Sequence, residues 1–205
     1  MAHILFFDSD FDDVSKMVAE WRRQHLYPRI QGHSVKILKG NTANRAYLAK
    51  ELIKKEITFF SGSGHGLFDE FQGSDGTAAL KLGGYNAAEV SGKIIHLLSC
   101  YTAFELGADL VLSGCIGFFG YDVPFSFFPH LIADFMAPDA ELDTALADGK
   151  SAEEAHTLII NTYDQKIDQL ESAGDLISAA DMAVNRDHLC SPVKDSRWGS
   201  ISGII

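Results

Sequence analysis

The sequence predicts an α/β fold of three layers, with a mostly parallel sheet between two sets of helices. Two observations carry this. Five short runs, Ile4 to Phe7, Val35 to Leu38, Ile57 to Phe60, Lys93 to Leu98 and Cys115 to Gly120, are almost continuously apolar, as strands covered on both faces must be. Between them lie segments whose apolar residues recur at helical spacing, and strict alternation of the two kinds defines parallel βαβ units.

Each element has its own signal. Asp12 to Gln24 places Val14, Met17, Val18 and Trp21 on one helical face. Asn41 and Thr42 supply capping side chains for a helix from about Asn44 to Lys55, with Tyr47, Leu48, Leu52 and Ile53 on its apolar side. The third strand runs into a glycine-rich turn, Ser61-Gly62-Ser63-Gly64-His65-Gly66. Asp69 to Gly84 is polar and glycine-rich and reads as a long loop or small hairpin. A short helix is expected at Asn86 to Ser91. Thr102 is placed to cap a helix from about Ala103 to Leu112. Further helices are expected near Phe125–Met136, Ala140–Ala147, Ala152–Glu171 and Asp175–Asp187, and the tail from Trp198 to Ile205 suits an edge strand. No repeat, low-complexity tract or linker divides the chain, so residues 1–205 are expected to form one domain with a helical C-terminal third.

Composition narrows the function classes. Hydrophobic residues make up 46% and charged residues 22%, ordinary for a globular protein, and 14 Phe supply a large aromatic core. The 28 acidic and 17 basic residues leave a formal charge of −11. That argues against nucleic-acid partners, which need a basic face, and against an anionic membrane. Cys100, Cys115 and Cys190 are too few for a disulfide framework and lack metal-ligand spacing, so no cofactor or metal is expected. With at least one unpaired thiol, no signal-peptide pattern at MAHILFFDSD and no apolar run of about 20 residues, a cytoplasmic location is expected.

In open parallel sheets, ligands bind beyond the carboxyl ends of the strands. There this chain carries Asp8 and Asp10, the Ser61–Gly66 turn, Cys100, and Tyr121-Asp122. If the third and fourth strands are neighbours, about 4.8 Å apart, their ends bring His65 and Cys100 together. A thiol beside an imidazole is the minimal nucleophile–base arrangement, and the histidine favours the thiolate. Gly66, without a Cβ, lets its N–H approach a substrate oxygen, and N–H groups at the turn after Cys100 can share an oxyanion. A lone Cys after a strand is more often a small buried hydrophobe, and a lone loop His is more often solvated. It is the pair, each at a strand's end, that points to chemistry.

The strand motifs ITFFSGSGHG at Ile57–Gly66 and IIHLLSC at Ile94–Cys100, continued by CYTAFELGADLVLSGCIGFFGYD to Asp122, resemble caspase-like (clan CD) cysteine peptidases, closest to the gingipain-like and CHAT-like branches. The resemblance covers roughly Ile57 to Phe128, about a third of the chain. It implies a caspase-like αβα sandwich acting on peptide or protein substrates. It also implies attack by Cys100, acid–base work by His65 and an oxyanion site at Gly66 and the Cys100 backbone. Several relatives select Arg or Lys with an acidic residue in the P1 pocket, and Asp122 is the candidate here, with Asp69, Glu70 and Asp75 behind it. Two departures stand out: Ser61–Gly64 reads as an insert before the histidine, and no pro-segment or recognition domain is evident.

Three rival folds fit the sequence less well. Asp8-Ser9-Asp10 superficially matches the start of haloacid dehalogenase-like phosphatases, but Asp12 replaces the usual Thr or Val. The receiver fold needs an Asp where Ser61 stands. Glutamine amidotransferase-like hydrolases place Cys before His, the reverse of this order. Outside enzymes, the alternative is a catalytically silent caspase-like scaffold for binding or signalling. His96, inside an apolar strand, reads as a satisfied core or sheet-face residue.

Overall fold

A computed structural model describes residues 2–204. Its strands are β1 (His3–Asp8), β2 (Ser34–Lys39), β3 (Phe59–Ser63), β4 (Glu70–Gln72), β5 (Ala78–Lys81), β6 (Ile94–Leu98), β7 (Gly117–Tyr121) and β8 (Leu189–Cys190). Six of them form one sheet in the order β2-β1-β3-β6-β7-β8; β8 alone runs antiparallel, and β4 and β5 make a separate hairpin. The helices are α1 (Asp13–Trp21), α2 (Arg45–Leu52), α3 (Ala87–Val90), α4 (Leu106–Leu112), α5 (Ile132–Ala147), α6 (Ala152–Ser172) and α7 (Leu176–Asp187).

Alternating side chains divide the core into two layers. Ile4, Phe6, Phe59, Ile94 and Phe119 pack with Val18 of α1 and with residues of α5, α6 and α7. Leu5, Phe7, Phe60, Ile95, Leu97 and Phe118 pack with α2, α3, α4 and the hairpin. Both faces are covered, so the apolar runs were the right signal. Each fully buried Phe stabilises the fold by roughly 1.5–3 kcal/mol.

The first of these faces also carries a polar seam. His96 is fully buried, with Nδ1 2.7 Å from Asp143 and Nε2 3.0 Å from Asp139, two residues one turn apart on α5. Arg22, at the end of α1, lies 3.1 Å from Asp8 and donates to Ser61 Oγ at 2.9 Å, while Ser61 Oγ donates to Asp143 at 2.8 Å. Tyr121 donates to Asp139 and lies 2.8 Å from the Tyr163 hydroxyl. His96 is the satisfied core histidine that its place in an apolar strand predicts.

Four expectations need correction. The helices expected at Phe125–Met136 and Ala140–Ala147 are one helix, α5, preceded by an extended segment. Pro138 lies inside it, removing one ladder bond, while Phe135, Met136, Ala140 and Leu142 on either side are buried and hold the helix through it. The helix after Cys100 starts at Leu106, not near Ala103, because residues 100–105 form tight turns. Ser61-Gly62-Ser63 is not an insert: it is the buried end of β3. The edge strand is β8 rather than the tail, which makes one bridge, Gly117 to Gly199; Ile205 lies outside the described residues. The Asp69–Gly84 segment holds the β4–β5 hairpin, one of its two expected forms.

Candidate active site

β3 and β6 are adjacent and parallel, with Ser63 opposite Leu98. His65 and Cys100 therefore each stand two residues beyond a paired strand end, side by side. Both line one cavity of about 160 Å³, with Val14, Ser15, Val18, Gly64, Leu98, Ser99, Phe125 and Phe127. The strand-end rule thus brings the expected pair together.

Gly66 is needed where it stands. A Cβ there would lie 2.5 Å from the Cys100 carbonyl oxygen and 2.6 Å from Thr102 Cγ2. The turn bonds around it run from Gln72 N–H to His65 O and from Leu67 N–H to Glu70 O. Among the described residues, neither the Gly66 nor the Cys100 N–H has a backbone acceptor. The helix expected to help at this point does not: its first turn is too far along the chain. The Tyr101 and Ala103 N–H groups are engaged by Val123 O and Tyr121 O. Tyr101 itself has φ of 61°, the sole non-glycine with positive φ among the described residues. That left-handed residue turns the chain sharply after β6, at a cost of about 1–3 kcal/mol. Its ring packs on Phe68, with centroids 4.9 Å apart.

His65 is held by a residue that motif reasoning missed. Its Nε2 lies 2.8 Å from Asp12 Oδ2, and the Phe11 ring stands edge-on at 6.3 Å. Asp12 is the N-cap of α1, and its Oδ1 accepts from Ser15 N–H at 2.9 Å. The Ser15 amide bond and His65 hold the Asp12 carboxyl down at about 2. The available signal was its place at the head of a helix following β1, on the same edge as His65. Phe125 and Phe127 were also missed as site residues; they alternate along the extended segment before α5, so both face the cavity.

Cys100 departs from the expected thiolate. Burial pushes its thiol above the ordinary cysteine value, against smaller opposing contributions from the backbone of Phe125, whose O lies 4.0 Å from Sγ, and of Cys100 itself. Because the imidazole Nε2 is turned to Asp12, no hydrogen bond joins it to the thiol among the described residues. Asp122 is not brought to this cavity. It pairs with His188 Nδ1 at 2.9 Å and lines a separate hollow of about 70 Å³ with Ala103, Phe104, Arg197 and Trp198. Asp69 and Glu70 pair with Lys81, and Asp75 caps Thr77. Asp8, the nucleophile a phosphatase would need, is buried and bound by Arg22, Ser63 and Tyr27. No group of three or more His, Cys, Asp or Glu suited to a metal ion occurs among the described residues.

Comparison with solved structures gives the fold its class. The chain is similar to the complex of the pro- and mature domains of RgpB from Porphyromonas gingivalis, with TM-score 0.60 and 11% identity over 99% of this chain and 48% of that one. It is similar to the Arg-specific cysteine proteinase gingipain R (RgpB), with TM-score 0.60 and 11% identity over 99% of this chain and 47% of that one. The fold is therefore the caspase-like αβα sandwich with a mostly parallel sheet, as the sequence motifs led one to expect. This chain spans about half the length of those structures. No protein-family profile matches it, and no curated protein does. No described helix is long and apolar enough to cross a membrane.

Proposed function

We propose that this chain is a cysteine peptidase of the caspase-like fold, acting on peptide or protein substrates through Cys100 and His65. The observation that carries this is the register: Ser63 pairs with Leu98, which sets both side chains at the mouth of one cavity. Cys100 Sγ attacks the scissile carbonyl carbon. Because burial keeps the resting thiol protonated, its proton leaves during the attack and passes to His65. The tetrahedral oxyanion is met by the Gly66 and Cys100 N–H groups. Collapse breaks the C–N bond, His65 returns the proton to the leaving amine, and water then hydrolyses the thioester. Asp12 positions the imidazole. No cofactor enters these steps. The three free thiols suit a reducing, cytoplasmic setting.

One observation favours a second reading, the silent scaffold: the thiol is raised rather than activated at rest. A diverse peptide library at neutral pH under reducing conditions, with cut sites read by mass spectrometry, separates the two. Cleavage by wild type and none by Cys100→Ala is the expected result. Equal cleavage patterns in wild type and Cys100→Ala, or no cleavage by either, sinks the peptidase. The basic P1 preference tied to Asp122 draws no support from the cavity at Cys100, whose lining holds no carboxylate.

A further inference from the structure

The cavity next to the thiol has a definite chemistry. Its walls are Val14 and Val18 from α1, Leu98 from β6, and Phe125 and Phe127 from the extended segment before α5. Val18 and Leu98 are buried, and the two phenylalanines are partly buried against the core. The polar lining is confined to Ser15, Gly64, His65, Ser99 and Cys100. A volume of about 160 Å³ is close to the ~150 Å³ apolar cavity that accepts a benzene ring.

Charge recognition is missing from these walls. The carboxylate beside His65, Asp12, is already engaged: Oδ1 accepts from Ser15 N–H and Oγ–H, and Oδ2 pairs with His65. Asp122 faces His188 outside the cavity. A guanidinium or ammonium pushed in here would lose water without gaining a partner, which is costly. A carboxylate would meet no lysine or arginine in this lining.

The extended wall is held in place. Asn185 of α7, fully buried, donates to Ser126 O at 2.7 Å and accepts from Ser126 N–H at 3.2 Å. Those two bonds fix the backbone between Phe125 and Phe127, so both rings keep their places. The shape is therefore present before any substrate arrives.

We propose that this cavity takes an uncharged apolar side chain, of the size of Leu, Met or Phe, from the residue whose carbonyl Cys100 attacks. This rests on the peptidase reading. It also separates the chain from the Arg-specific proteinase that shares its fold.

The test uses four acyloxymethyl-ketone peptide probes identical except for Leu, Phe, Arg or Asp at P1. Labelling of Cys100 is followed by mass spectrometry in wild type, Val18→Asp and Val14→Asp. The second variant changes an exposed position on the rim and keeps the test sound should Val18→Asp fail to fold. Expected in wild type is labelling by Leu or Phe faster than by Arg or Asp by about tenfold or more. In the Asp variants the Leu-to-Arg ratio should fall by about tenfold. Faster labelling by the Arg or Asp probe overturns the apolar assignment and leaves the peptidase reading intact. Labelling by none of the four, with iodoacetamide still reaching Cys100, overturns both.

Discussion

At the residue scale, the site depends on atoms that sequence patterns reach unevenly. His65, Gly66 and Cys100 were legible because strand ends in a parallel sheet converge. Asp12 was not, since a helix-capping Asp looks the same whether or not it also holds a histidine. Asp12→Ser separates these roles: serine still caps α1 but is too short to reach the imidazole. Expected is a loss of about tenfold or more in kcat/KM with an unfolding midpoint close to wild type; an equal loss of both would make Asp12 purely structural. Gly66→Ala should cut kcat by about 10²–10³, since its Cβ would meet backbone at 2.5 Å and displace an oxyanion donor. Full activity in Gly66→Ala would remove that N–H from the mechanism. The raised thiol carries a sign as well. Iodoacetamide should alkylate Cys100 at pH 7 more slowly than free cysteine, with the rate still climbing past pH 9. A plateau reached at neutral pH would show an activated thiolate instead.

At the element scale, α1, α5 and three strands meet through charge. Arg22, between Asp8 and Asp143 and 5.4 Å above the Phe6 ring, has almost no exposed surface. Arg22→Met leaves the buried Asp8 without its cation and Asp143 with His96 alone, and should cost about 3–5 kcal/mol in urea unfolding; a change under about 1 kcal/mol would mean the seam is slack. For His96, burial alone would lower the pKa, but Asp143 and Asp139 override it and raise it to about 9. The folded value lies above the unfolded one of about 6.5. The stabilisation is therefore full below pH 6.5 and is lost as pH rises through about 9. Unfolding free energy should fall over that window in wild type, with the slope reduced in His96→Gln; identical slopes would show that His96 does not bind the extra proton. His96 was readable as an internal polar residue, but its partners were not. Asp139 and Asp143 sit beyond Pro138, where the sequence seemed to break the helix, so their common face was hidden.

At the scale of the whole molecule, the apolar runs revealed the layers because both faces of the sheet are covered. The order β2-β1-β3-β6-β7-β8 was not legible in the sequence, where the β3–β6 pairing entered only as a condition that the sheet meets. The two-residue strand β8 follows a long helical stretch and has too few side chains to show a period, so the antiparallel edge escaped. The likeness to RgpB, at 11% identity and TM-score 0.60, belongs to this scale: it concerns the path of the backbone, while the proposed chemistry rests on the few residues at the strand ends.

The most direct measurement is acid-quench capture of the acyl-enzyme. Wild type, His65→Ala and Cys100→Ala would be mixed with a cleavable peptide, quenched within a turnover and mapped by mass spectrometry. Expected is a substrate-derived thioester on Cys100 in wild type, formed about 10²–10⁴ times more slowly in His65→Ala and absent in Cys100→Ala. Peptide cleavage that proceeds with Cys100 unmodified, or that survives its replacement, would contradict the assignment of Cys100 as nucleophile.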